Sequence, residues 1–339
     1  MIDDFPLLPQ YPPKVRIEAH HVCNGEKSIS ISIDTALLQA VCGTNDANLK
    51  ALENALGSPI TVRGNEIETP GLDNDSRQRF NYVMENLKAA ASSGETPDEE
   101  YVRSVLACFS GTGRETPIRE NLITVPHGFS KVYPRGPGQA EYVRGMRTAD
   151  ITFCVGPAGT GKTYLAIAMA LSQVMNKKAR KLILTRPVVE AGESLGYLPG
   201  DLAQKINPYL RPLYDAMEAL VPFDFISRME ENRSIEIAPL AYMRGRSLND
   251  AFIILDEAQN TTKEQMKMFL TRLGHKSRAV ITGDTTQIDL PKRVDSGLLQ
   301  ALSILKGIDG IHISYLNTGD VVRHPLIKKI ISAYEKESL

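Results

Sequence analysis

The sequence predicts an α/β domain built on a mainly parallel central sheet, preceded by a smaller α+β domain. Three observations carry this reading. From Gln139 onward, short apolar β-rich runs alternate with helix-compatible stretches, the rhythm of a sheet wrapped by helices. Several of the runs, such as 252–255, are continuously apolar, as strands buried on both faces must be. Before residue 110 the rhythm differs, and the segments read β-α-turn-α-β-β-α.

In chain order, residues 1–28 carry several prolines and little periodicity and read as an irregular arm. Residues 29–109 hold the small domain. Ser30-Ile-Ser-Ile33 alternates as a half-buried strand, and 35–41 reads as a short helix. Gly43-Thr-Asn-Asp46 makes a turn, with Asn45 or Asp46 expected to cap the helix that ends at Gly57. Runs 60–63 and 66–69 flank Gly64-Asn65, a hairpin signal. A helix over 75–91 turns Phe80, Val83, Met84 and Leu87 inward, and 101–109 is a helical patch. This order, with a glycine turn between its first two helices, resembles a type I KH domain, whose G-x-x-G loop clamps single-stranded nucleic acid. Here Asp46 stands where the second glycine would be, so two readings stay open: RNA grip, or a spacer or protein-binding domain. Residues 110–135, rich in Gly, Pro and Thr, read as a linker, and 136–339 as the large domain. Its expected strands are 151–155, 181–185, 235–240, 252–256, 279–282 and 311–314.

The large domain opens on Gly156-Pro157-Ala158-Gly159-Thr160-Gly161-Lys162-Thr163, which fills the pattern G-x-x-x-x-G-K-[ST] between a strand and a helix. In that pattern the backbone N–H groups and the helix N-terminus would cradle phosphates, Lys162 would reach the β- and γ-phosphates, and Thr163 would ligate Mg²⁺. About ninety residues on, the strand 252–255 ends in Asp256-Glu257. In a nucleotide site Asp256 would hold Mg²⁺ through water, and Glu257 would orient and deprotonate the attacking water. One acid cannot easily do both, because coordination consumes its basicity. The adjacent acids favour ATP hydrolysis over transfer to a small acceptor. Thr282, Asp284 and Gln287 follow another strand end and are candidates to sense the γ-phosphate. Thr185-Arg186-Pro187 ends a further strand, and the glycine-rich 192–200 after it can contact a polyanion or couple it to the site.

Composition bounds the setting. The 42% hydrophobic and 23% charged residues are ordinary for a globular protein. No apolar run approaches a membrane span, the N-terminus lacks signal-peptide character, and the four cysteines form no C-x-x-C pair, so a reducing cytoplasm is expected. Residues 1–115 hold ten Lys/Arg against seventeen Asp/Glu, a net of −7, and the remainder twenty-nine against twenty-three, a net of +6. A polyanion would be drawn to the second part.

Together, Gly156–Thr163, 185–201, 208–215, Arg244-Gly-Arg246, 256–260, Thr282-Gly-Asp284 and Val322-Arg323-His-Pro325 resemble the PhoH family of ATPases. The resemblance is dense over roughly 120–335 and loose over 28–90. It implies a RecA-like core related to superfamily 1 helicases, with ATP and Mg²⁺ as cofactors. It also implies roles in RNA metabolism, with single-stranded RNA as partner, beside a YbeY-type endoribonuclease. By the same resemblance Gln139, near Tyr142, would read the adenine, and Arg323 is the candidate arginine finger. Arg186, Arg244 and Arg246 are the candidate RNA contacts. Because about 180 residues after the P-loop hold one such core, a homo-oligomeric ring in which a neighbour completes each site is expected. Three functions compete: an ATPase that remodels or unwinds RNA, an ATP-driven adaptor that delivers a nuclease, and a small-molecule kinase.

Overall fold

The structure, a computed structural model, describes residues 22–23, 26–109, 111, 121–187, 202–291 and 293–321. Nearly all of the expected arm, 112–120 of the expected linker, the 192–200 loop, Arg323 and His324 lie outside these residues. The chain divides into two compact units, Met1–Leu106 and Ala107–Leu339.

In the first unit a two-residue antiparallel pair, β1 (Val22–Cys23) and β2 (Glu26–Lys27), lies within the segment expected as irregular. There follow β3 (Ile29–Ser32), α1 (Thr35–Cys42), α2 (Ala47–Leu56), β4 (Thr61–Arg63), β5 (Glu66–Thr69), α3 (Asn74–Ser92) and α4 (Glu99–Cys108). The three longer strands form an antiparallel sheet in the order β3-β5-β4. Periodicity explains the core: Ile29 of β3, the alternate residues Ile67 and Thr69 of β5 and the inward face of α3 (Phe80, Val83, Met84, Leu87) are all buried. This is the expected KH-like order. The turn between α1 and α2 differs in detail. Asn45 and Asp46 adopt left-handed backbone and α2 has no side-chain cap, because a 3-10 turn over Thr44–Asp46 feeds the helix directly. Gly43 is required here. Its φ is 77°, and a Cβ would lie 2.8 Å from the side chain of Asn48. Asn48 is fully buried and donates to the carbonyls of Val41 (3.2 Å) and Pro97 (3.0 Å).

The second unit begins with a hairpin, β6 (Ile123–Val125) and β7 (Ser130–Val132), inside the stretch expected as linker. Ile123, Val125 and Val132 are buried in the main core, so this part of 110–135 belongs to the folded unit. Then come α5 (Pro137–Thr148), β8 (Ile151–Val155), α6 (Lys162–Met175), β9 (Lys181–Arg186), α7 (Leu202–Glu218), α8 (Phe223–Glu231), β10 (Ile235–Pro239), β11 (Ala251–Leu255), α9 (Lys263–Leu270), β12 (Arg278–Gly283), α10 (Gly297–Ile304) and β13 (Ile311–Tyr315). Six strands form one parallel sheet in the order β10-β9-β11-β12-β8-β13. The central strands β8, β9, β11 and β12 are apolar on both faces and alternate between two cores. Phe252 and Ile254 of β11 join the core that holds α6, and Ala251, Ile253 and Leu255 join the core that holds α9. This is the RecA-like arrangement. Because every strand runs the same way, the C-terminal ends of β8, β9, β11 and β12 share one edge of the sheet. No helix among the described residues is long and apolar enough to cross a membrane.

Candidate nucleotide-binding site

That shared edge gathers the predicted residues. Gly156 to Gly161 leave β8 and turn into α6, whose first residues are Lys162 and Thr163. Gly159 and Gly161 have φ of 79° and 82°, the left-handed backbone that lets consecutive N–H groups face one concavity. A Cβ on Gly156 would lie 2.5 Å from the carbonyl oxygen of Leu316, so only glycine fits where the loop leaves the sheet. The cleft, about 490 Å³, is lined by Gly159, Lys162, Thr163, Arg186, Asp256, Glu257, Asp284 and Gln287, among others.

Lys162 Nζ donates to the carbonyls of Gly156 (2.6 Å) and Pro157 (2.8 Å). Burial lowers its pKa, and the nearby Asp284, Asp256 and Glu257 carboxylates oppose that drop. Asp256 is 5% exposed, and its Oδ1 accepts from Thr163 Oγ1 (2.7 Å) and Thr282 Oγ1 (2.6 Å). Two hydroxyls and a carboxylate at one point are hard oxygen donors of the kind Mg²⁺ takes, so Thr163 and Asp256 fit the metal role expected of them.

Glu257 leads from β11 into a 3-10 turn with φ 53° and ψ 39°. Left-handed backbone at a non-glycine residue costs about 1–2 kcal/mol, and here it turns the carboxylate into the cleft. Gln259 Nε2 donates to Glu257 Oε2 (2.5 Å), and Gln259 Oε1 accepts the Asp284 N–H (3.0 Å). The sequence reading did not single out Gln259, although it stands two residues after Glu257. Asp284 Oδ1 accepts from the N–H (2.9 Å) and hydroxyl (2.7 Å) of Thr286, while its buried Oδ2 has no hydrogen-bond partner among the described residues.

The remaining candidates are placed as follows. Arg186, expected to contact RNA, sits in the cleft: its Nη2 is 2.6 Å from Glu257 Oε1 and its Nε 3.9 Å from Asp256 Oδ2. Gln139 and Tyr142, expected at the adenine, are buried under the P-loop. Gln139 donates to the Thr160 carbonyl (2.9 Å) and accepts the Arg135 N–H (2.8 Å), and the Tyr142 hydroxyl donates to the Lys162 carbonyl (3.2 Å). Burial also pushes the Tyr142 pKa well up, so it stays a neutral donor. Arg246 lies away from the cleft, forked onto both oxygens of Glu236. Arg244 is exposed in the loop beside it. Arg323 falls outside the described residues.

Comparison with known proteins agrees with this geometry. Residues 131–335 match the family described as "PhoH-like protein". A PhoH-like protein of Bacillus subtilis is 49% identical over 298 residues, 87% of this chain and 93% of that protein. One of Mycobacterium tuberculosis is 48% identical over 308 residues, 91% and 87% of the two chains. Protein PhoH of Escherichia coli K12 is 42% identical over 250 residues, 73% and 69%. Among solved structures, a Sulfolobus solfataricus SWI2/SNF2 ATPase core in complex with dsDNA aligns at 16% identity with TM-score 0.29, over 43% of this chain and 30% of that one, too partial a likeness to bear on function. The site and the relatives together support a nucleotide-hydrolysing function, and the chain belongs to the PhoH family.

Proposed function

We propose that the protein is a Mg²⁺-dependent ATPase whose hydrolysis is coupled to binding and remodelling or unwinding of RNA. The observation that carries the ATPase reading is the Thr163–Asp256 contact at 2.7 Å with Glu257 beside it, which joins a phosphate loop, a metal-holding pair and a separate base at one sheet edge. Lys162 and the loop N–H groups bind and orient the phosphates, Thr163 and Asp256 hold the metal, and Glu257 takes the proton of the water. Bound Mg²⁺ supplies charge neutralisation at the phosphates.

The RNA half of the reading has separate support. A groove of about 600 Å³ is lined by the exposed cations Lys177, Lys178, Arg180 and Lys276, with one exposed acid, Asp250, among them and Phe225 at its wall. Arg180 and Lys276 stand just before β9 and β12, so this cationic surface lies at the sheet edge opposite the nucleotide cleft. Cations beside an aromatic ring suit a single-stranded phosphate backbone. A homo-oligomeric ring and a YbeY-type endoribonuclease partner belong to the same proposal. ATP turnover measured with and without single-stranded RNA, single-stranded DNA and duplex tests it. Stimulation by RNA is expected, and turnover indifferent to every nucleic acid would refute the coupling.

A further inference from the structure

The described residues place one cation against the two acids that an ATPase needs free. Arg186 ends β9, which lies directly beside β11, the strand that delivers Asp256 and Glu257. Its guanidinium is 2.6 Å from Glu257 Oε1, and Gln259 Nε2 is 2.5 Å from Glu257 Oε2. Both oxygens of the base are therefore engaged. A guanidinium seated on a carboxylate oxygen competes with water for that oxygen's lone pairs. The pair lines the same cleft as Lys162 and Thr163, where the phosphates would bind, with side chains 18% and 36% exposed. A planar guanidinium fork also matches phosphate oxygens better than one carboxylate oxygen does.

Resting on the ATPase reading above, we propose that Arg186 is a γ-phosphate ligand supplied by the same chain, parked on Glu257 until nucleotide enters. The γ-phosphate takes the guanidinium, and this exchange frees Glu257 Oε1. The attacking water then bonds to the γ-phosphorus, its proton passes to Glu257, and the bond to the β,γ-bridging oxygen breaks with its electron pair leaving on ADP. The products are ADP and inorganic phosphate. Arg186 thereby couples occupancy of the γ-phosphate site to release of the base, which limits hydrolysis of misplaced nucleotide.

The test uses the full chain with Arg186→Ala and Arg186→Lys, read by steady-state turnover and by binding of ADP and of the non-hydrolysable analogue adenylyl imidodiphosphate. For Arg186→Ala, kcat falls about 100-fold or more, the scale of losing one preorganised donor to a developing charge. ADP affinity holds, while the preference for the triphosphate analogue over ADP falls roughly tenfold, as loss of a charged hydrogen bond requires. Arg186→Lys recovers part of both. A purely structural salt bridge would weaken ADP and analogue equally, and that result overturns the proposal. So does an Arg186→Ala chain that turns over as fast as wild type or faster. If wild-type chain binds neither nucleotide, the ATPase reading itself fails and this proposal falls with it. Wild-type turnover with an indifferent Arg186→Ala sinks the proposal alone.

Discussion

Gln259 joins the acid of one strand to the backbone of the next: its Nε2 lies 2.5 Å from Glu257 Oε2, and its Oε1 takes the Asp284 N–H at 3.0 Å. The proposed base and the candidate sensor are thus linked through one side chain. Glu257→Gln keeps this bridge and removes the base. It should bind ATP and slow hydrolysis by about 10²–10⁴-fold, measured by phosphate release in single turnover. Turnover near normal would assign the base to another group. Gln259→Ala leaves the buried Asp284 N–H without its acceptor, at a cost of about 1–3 kcal/mol, visible as a lower melting temperature.

Lys162 carries a prediction in pH. Its folded pKa lies below the ordinary lysine value because the ammonium is desolvated. The charged form is therefore penalised in the nucleotide-free fold at pH below the folded pKa. That penalty is relieved as pH rises from the folded pKa towards the unfolded value near about 10.4. Lys162→Met should abolish nucleotide binding. Its melting temperature relative to wild type should be most favourable near neutral pH and should decline as pH approaches 10. A difference that stays flat across that range would mean the two carbonyl hydrogen bonds offset the desolvation fully.

Gln139 separates loop support from base reading. Both ends of its amide are engaged, by Thr160 O and the Arg135 N–H. Gln139→Ala should therefore weaken ATP and GTP to the same extent, seen in competitive binding with a fluorescent nucleotide. Selective loss of ATP over GTP would return Gln139 to the adenine.

Arg246 is expected to matter for stability. The Arg246 hydrogen bonds hold Glu236 below the usual carboxylate pKa, with the Arg246 and Lys181 charges adding to the effect. A depressed carboxylate stabilises the fold above its unfolded pKa and loses that contribution as pH falls through the folded value. Arg246→Ala should cost about 1 kcal/mol or less at pH 7, because both side chains are about a third exposed, and the difference from wild type should vanish in acid.

The cationic groove gives a test that leaves the nucleotide site alone. Lys177→Glu with Lys178→Glu should lower RNA affinity about tenfold or more at low salt and flatten its salt dependence, while turnover without RNA is unchanged. Equal RNA binding by variant and wild type would exclude this surface.

Some of this was readable in the chain and some was not. Gly156 to Thr163 and Asp256-Glu257 are local patterns at the ends of apolar runs, and those runs predicted all six parallel strands. The Arg186–Glu257 contact was not legible because it depends on β9 lying beside β11, a spatial adjacency that strand sequence does not state. Gln139 was placed at the adenine by resemblance, since nothing in its sequence neighbours shows that the Thr160 carbonyl and the Arg135 N–H take both ends of its amide. The hairpin over 123–132 was missed because its strands are three residues long and sit among glycine and proline, where periodicity has no length to show itself.

The parallel sheet has a consequence for folding. Its site draws on strand ends from Val155 to Gly283, and none of its side chains meet until four strands have found their order. Such contacts are distant in sequence, so they form late and pay their loop entropy first. Nucleotide therefore recognises only the finished unit, and at a hundred times its dissociation constant it would shift the unfolding equilibrium by about 2.7 kcal/mol. A growing chain gains that support only after residue 284 has joined the sheet edge.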